Sequence, residues 1–192
     1  MLVVLGDLDL ALPLAEVIDA DLCLGTDRGL AYRLPQTIRA AKSLSRWRTI
    51  VLTVGVKEVL DRDSSVPADV LAYSEIFGSG PPEGPFRIYE RSSFSCLLEE
   101  IAILLAEPNP RPYVMVVPVV HKSPGPMSVT PCLNRLMASW CKSEDFSFLP
   151  EGIFNRSGGV GLYDDPMSGR TSALWTEIVG EVICHRLDRM GA

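Results

Sequence analysis

The first dozen residues constrain the fold most, because they predict a buried strand that ends in a tight turn. Leu2–Leu5 is wholly apolar, Gly6 and Asp7 interrupt the run, and apolar residues with helical spacing follow. A strand followed at once by a helix is typical of α/β sheets. Ligands bind such sheets beyond the carboxyl ends of the strands, where Asp7 and Leu8 are expected.

The rest of the chain continues this alternation. Strands are also predicted at 21–24, 49–55, 113–120 and 146–149, and helices at 10–18, 35–44, 94–105, 130–141 and 171–187. Pro13 is expected near its helix's first turn and Pro118 near its strand's end, where each is tolerated. With right-handed crossovers, the pattern predicts a three-layer α/β/α fold with a five-stranded parallel, flavodoxin-like sheet of order 2-1-3-4-5.

Length and composition predict a single domain spanning residues 1–192. A hydrophobic content of 47% and a mean hydropathy of +0.18 indicate a folded globular chain. The sequence has no apolar run of the roughly 18 residues that a membrane helix needs. No basic region precedes the first apolar run, so a signal peptide is not expected.

The five cysteines and the Gly/Pro-rich segment carry two further expectations. The cysteines form neither a CxxC pair nor a zinc-spaced cluster. They predict free thiols in a reducing, cytoplasmic setting, without metal or cofactor. Residues 61–91 lose periodicity and contain the turn-rich stretch 78–85. We interpret them as a loop insertion that could hold a protein partner.

Five short motifs follow one another along the chain. They are Val4–Leu8, a glycine at Gly25 or Gly29, Val54–Glu58, Leu133-Asn134 and Gly161–Ser168. In type and order they resemble the blocks of the SGNH (GDSL) hydrolase superfamily. The resemblance implies an SGNH hydrolase-like fold with a Ser-His-Asp site at the carboxyl edge of the sheet.

The resemblance also implies that the catalytic positions are degenerate. Leu8 stands at the serine and Lys57 at the oxyanion asparagine, while the histidine position holds Met167 or Ser168 according to register. The degenerate site comprises Asp7, Leu8, Gly29, Gly55, Lys57, Asp164, Asp165 and Met167. Ester hydrolysis needs a nucleophile, a base and an orienting carboxylate. The sequence therefore predicts a pseudoenzyme, that is, no enzyme activity.

An alternative keeps hydrolysis. His121 follows the fourth predicted strand and could pair with Asp7 or Asp9 as acid and base in a divergent ester hydrolase. The two aspartates could also bind a metal. We favour a structural role for Asp7, in which it accepts backbone hydrogen bonds around the turn.

A basic stretch supplies the binding hypothesis. Between Asp27 and Arg48 there are six basic residues and one acidic residue, in a chain of net charge −6. The candidate RNA-binding residues are Arg28, Arg33, Arg39, Lys42, Arg46, Arg48, Arg186 and Arg189. On the predicted helix Arg39, Lys42 and Arg46 share one face. Tyr32 and Trp47 flank that face and could stack on bases.

The leading prediction is a non-catalytic SGNH-like binding module for RNA. It is similar in kind to the C-terminal domain of Oskar, an SGNH-like fold without the triad that binds mRNA. The alternatives are an ordinary solvated helix face, the divergent esterase, and a protein scaffold that uses the 61–91 loop.

Overall fold

The computed structural model describes residues 1–26, 34–41, 44–54, 94–119, 130–157, 162–165 and 170–191. Its main sheet has five parallel strands in the order β2-β1-β3-β4-β5. These strands are β1 Leu2–Asp7, β2 Leu22–Thr26, β3 Thr49–Thr53, β4 Tyr113–Val116 and β5 Ser147–Phe148. The predicted fold class and strand order are confirmed. The predicted 61–91 insertion lies outside the described residues.

Helices cover both faces of this sheet. They are α1 Leu8–Val17, α2 Leu34–Ala40, α3 Phe94–Ala106, α4 Thr130–Glu144 and α5 Ala173–Met190. Because β2 and β3 lie on opposite sides of β1, right-handed crossovers place α1 and α2 on opposite faces. α5 packs against α1, and α3 packs against α2. Thus α5 and α2 also lie on opposite faces.

The strands are buried as parallel strands with helices on both sides should be. Val3, Val4 and Leu5 of β1 and residues 50–52 of β3 are fully buried. Pro118 lies just beyond the end of β4, as expected. β5 is shorter than the predicted 146–149, because only Ser147 and Phe148 pair with β4.

The junction between β1 and α1 departs from the predicted boundaries. Pairing with β2 continues through Gly6 and Asp7, so β1 extends two residues beyond its apolar run. α1 then begins at Leu8, because the Asp7 side chain caps its first turn. This earlier start puts Pro13 inside the helix rather than in its first turn, so that prediction is wrong.

The predicted 35–44 helix is also wrong in extent. α2 ends at Ala40, and Leu44–Arg46 forms a separate 3-10 helix. Trp47 is fully buried and donates its backbone N–H to the Leu44 carbonyl at 3.1 Å. Packing this indole in the core turns the chain toward β3, which overrides the helical spacing.

Some elements were not predicted from the sequence. A 3-10 helix spans Glu151–Ser157, and the antiparallel pair β6 Tyr163–Asp165 and β7 Arg170–Thr171 precedes α5. The strands of this pair are short and have no alternating apolar pattern, so periodicity does not reveal them.

The cysteines that the structure describes with their side chains are free thiols, at positions 23, 141 and 184. Burial raises the pKa of the Cys141 thiol to about 12 and also raises the pKa of Cys23. Within the described ranges, no helix is both long and apolar enough to cross a membrane.

Candidate functional site

The carboxyl end of β1 is fixed against β3 by a very close backbone approach. Gly6 has φ +148°, and a Cβ built on it would lie 1.9 Å from the Thr53 carbonyl oxygen. The Thr53 hydroxyl donates to the Leu5 carbonyl at 3.3 Å and is itself buried. Only glycine fits this position, so the turn into α1 has a fixed geometry.

Asp7 has a structural role at this turn. Its side chain is 7% exposed, and Oδ1 accepts the backbone N–H of Asp9 at 3.1 Å. A carboxylate at the N-cap also interacts favourably with the helix dipole. This is the role that the sequence analysis favours for Asp7.

Leu8 occupies the place that the resemblance gives to the nucleophile. Its side chain is half-buried and packs on β2. A Cβ added to Gly25 would lie 2.5 Å from Leu8 Cδ2. The position therefore holds an apolar group that is packed into the fold, with no atom able to attack a carbonyl carbon.

Asn134 shapes the same edge from α4. Its amide accepts the backbone N–H of Val119 at 2.9 Å and donates to the Val119 carbonyl at 2.8 Å. The side chain is 1% exposed, so both bonds are shielded from water. They position the segment that leaves β4 and leads toward His121.

The structure does not bring a catalytic triad together within the described residues. Asp164 and Asp165 lie on β6, next to the start of α5, where the Ser172 N–H donates to the Leu162 carbonyl at 3.0 Å. Outside the described residues lie Gly29, Gly55, Lys57, His121, Met167 and Ser168. Among the residues that are described, no cluster of three or more His, Cys, Asp or Glu could hold a metal ion.

The predicted basic helix is not one continuous helix in the described residues. Arg39 lies on α2, where its guanidinium pairs with Glu100 of α3 at 2.5 Å, whereas Arg46 lies on the separate 3-10 helix. Trp47 is buried and cannot stack on a base. Arg28, Tyr32, Arg33 and Lys42 lie outside the described residues.

The arginines of α5 are separated from Arg39 by the whole sheet. Arg186 donates to the Ser147 hydroxyl of β5, and Arg189 is exposed in the last turn of α5. Since α5 and α2 cover opposite faces, the Arg39 side chain cannot be contiguous with Arg186 and Arg189.

A cleft at the amino edge of the sheet was not predicted from the sequence. Its volume is about 520 Å³. It is lined by Met1, Leu2, Ile18, Arg48, Thr49, Cys184, Leu187 and Asp188. The Arg48 N–H donates to the Met1 carbonyl at 3.0 Å, which joins the chain before β3 to the start of β1. The lining comes from strand starts and from the end of α5, so no local motif signals it.

Comparisons with known proteins identify the fold. No family model matches the chain, and no curated protein matches it. Solved structures do match. A lipase/acylhydrolase from Enterococcus faecalis is 12% identical, with a TM-score of 0.64 over 97% of this chain and 94% of that one. The chain has the SGNH hydrolase fold.

Two further matches extend this SGNH-fold comparison. An acetylxylan esterase from Geobacillus stearothermophilus is 11% identical over 100% of this chain and 94% of that one, with a TM-score of 0.62. An aryl esterase from M. smegmatis is 12% identical over 98% of each chain, with a TM-score of 0.53. The prediction that this chain is not an enzyme is contradicted, because these SGNH-fold relatives are esterases and an acylhydrolase. At such identities the likeness shows the fold alone.

Proposed function

We propose that the chain binds single-stranded RNA at the amino edge of its sheet. The binding surface is a basic rim made of Arg46, Arg48 and Arg189. The supporting observation is that all three are exposed, and no carboxylate in the described ranges lies within 4.0 Å of their guanidinium groups. Arg48 lines the amino-edge cleft. Asp188, which directly precedes Arg189 in the chain, lines the same cleft.

Charge and geometry favour phosphate as the group that the rim contacts. Guanidinium forks match phosphate oxygens in bidentate geometry, and a guanidinium is more weakly hydrated than an ammonium, which lowers the cost of removing its water on binding. The net charge of −6 disfavours general attraction of RNA, so binding depends on this local cluster. Arg39 is excluded from the rim because Glu100 already compensates its charge.

Removing two rim charges tests this proposal. We expect the Arg46→Gln/Arg48→Gln double variant to bind a mixed-sequence single-stranded RNA at least tenfold more weakly at 0.1 M salt. Each lost phosphate contact should also lower the slope of log K against log salt by roughly 0.7, or about 1.4 for both. Fluorescence anisotropy with an end-labelled RNA between 50 and 200 mM salt measures both quantities.

Arg39→Gln is the control, since it removes a positive charge from α2 at an arginine that lies outside the rim and is paired with Glu100. We expect it to change affinity less than twofold. Equal losses in the two variants, or full affinity in the double variant, would contradict the basic rim.

The structural comparisons favour ester hydrolysis as a second candidate. Esterases share this fold along more than nine tenths of their chains. Because Leu8 offers no nucleophilic atom, the attacking group is water: its oxygen bonds to the ester carbonyl carbon while its proton passes to the His121 imidazole. The bond from that carbon to the alkoxide then breaks, and the imidazolium returns the proton to the leaving alkoxide. Asp7 stays engaged as the cap of α1.

Turnover of p-nitrophenyl acetate tests this candidate. We expect His121→Ala to abolish turnover if the reaction uses His121 as its base. His185→Ala is the control. It also removes an imidazole, but from an exposed position near the end of α5. Absence of turnover in the purified chain, or turnover that survives His121→Ala, rules this mechanism out.

A further inference from the structure

The amino-edge cleft has the size and lining of a small-molecule site. Its volume of about 520 Å³ lies in the range of roughly 300–1,000 Å³ that is usual for ligand pockets. Leu2, Ile18 and Leu187 provide aliphatic walls. Arg48 and Asp188 provide one cation and one carboxylate at its edge.

The polar groups of the cleft are available to a ligand. Arg48 and Asp188 are both exposed, and the structure records no ion pair between them within 4.0 Å. The Gly191 N–H donates to the backbone carbonyls of Leu187 and Asp188 in the last turn of α5. Asp188 presents its exposed carboxylate near this end of α5, where it lines the cleft.

A carboxylate distinguishes the RNA bases by their hydrogen-bonding edges. Guanine presents two adjacent donors, N1–H and N2–H, which match the two oxygens of one carboxylate. Adenine and cytosine each place a ring nitrogen acceptor beside their amino group, and uracil flanks its N–H with two carbonyls. In those bases a lone pair faces the carboxylate, which costs binding energy. Single-stranded RNA exposes these edges for direct readout.

We propose that this cleft is a guanine-binding slot, an inference that rests on the RNA-binding function proposed above. Asp188 accepts the N1–H and N2–H of the base. Leu2, Ile18 and Leu187 contact the faces of the base, and Arg48 binds the adjoining phosphate. The slot gives the basic rim a preference for guanine in an otherwise sequence-independent contact.

Titration with mononucleotides tests the slot in the whole chain. We expect guanosine 5′-monophosphate to bind about tenfold more tightly than inosine 5′-monophosphate, which lacks only the 2-amino group. In Asp188→Asn this preference should disappear, because the amide replaces one acceptor with a donor. Asp145→Asn, at an exposed aspartate before β5, is the control and should keep the preference. Equal affinity for the two nucleotides in the unmodified chain refutes the slot.

Cys184 provides a second readout that does not depend on a variant's folding. It lines the cleft, whereas the half-buried Cys23 lies on the edge strand β2 and is not among the lining residues. Guanosine 5′-monophosphate should slow iodoacetamide labelling of Cys184, mapped by mass spectrometry, and leave Cys23 unaffected. Equal protection of both thiols, or of neither, contradicts occupancy of the cleft.

The two proposals fail in different ways. If the rim variant loses RNA but the chain does not distinguish guanine from hypoxanthine nucleotides, the RNA function stands and the slot is wrong. If the chain binds no RNA yet binds guanosine 5′-monophosphate in an Asp188-dependent way, the slot stands as a nucleotide site and the RNA function is wrong.

Discussion

Replacing Gly6 with alanine is expected to destabilise the chain by about 4 kcal/mol, at the upper end of single-residue effects. The new Cβ would lie 1.9 Å from the Thr53 carbonyl oxygen, so the neighbouring strand itself must move. The φ of +148° adds backbone strain for any L side chain. Urea unfolding followed by circular dichroism gives the free energy of unfolding.

Gly191→Ala is the matched control, since both glycines have positive φ. At Gly191, φ is +71° and nothing lies within 4 Å of an added Cβ. Alanine there costs only the left-handed conformation at the end of α5, about 1 kcal/mol. If the two alanines destabilise the chain equally, strain alone explains Gly6 and the steric argument fails.

Replacing Asn134 with leucine is expected to cost about 3 kcal/mol of unfolding free energy. The two side chains have the same number and branching of heavy atoms, so the shape that fills the site is largely kept. The N–H and carbonyl of Val119, however, both lose their partner in a site where Asn134 is only 1% exposed. Buried backbone groups without partners cost about 1–3 kcal/mol each. Urea unfolding measures the loss.

Ser143→Ala on the same helix provides the comparison. The Ser143 hydroxyl donates to the Trp140 carbonyl three residues earlier, a local bond that should matter by less than about 0.5 kcal/mol. Hydrogen exchange adds a local test, because the Val119 amide should lose its protection only in the leucine variant. A Val119 amide that stays protected in Asn134→Leu shows that another group bonds it.

The sheet was predictable from the sequence because its central strands β1, β3 and β4 are buried. Leu2–Leu5 and residues 113–120 are continuous apolar runs, residues 49–55 are rich in β-branched and apolar residues, and the helical patterns between them allow few topologies. Element ends were less predictable. Hydrogen bonding across the sheet carries β1 on to Asp7, beyond its last apolar side chain.

The proposed binding surface was poorly predictable from the sequence because it depends on contacts between distant residues. Local spacing put Arg39 and Arg46 on one helix, but burial of Trp47 ends that helix early. Nothing in the sequence reveals that Glu100 meets Arg39, or that Asp188 lies beside Arg48 at one cleft. The positions of Asp7 and Leu8 were easier to predict, because they stand where β1 ends and α1 begins.

The contact between Leu8 and Gly25 links two positions in evolution. A Cβ at position 25 would lie 2.5 Å from Leu8 Cδ2 and 2.8 Å from the Gly6 carbonyl oxygen, so both the leucine side chain and the β1 backbone favour glycine there. A smaller residue at position 8 removes only the first of these two contacts. Among related chains, a larger residue at position 25 should therefore appear only where position 8 is small. The Leu8 side chain is thus part of the packing between α1 and β2, and changing it requires adjusting β2 as well.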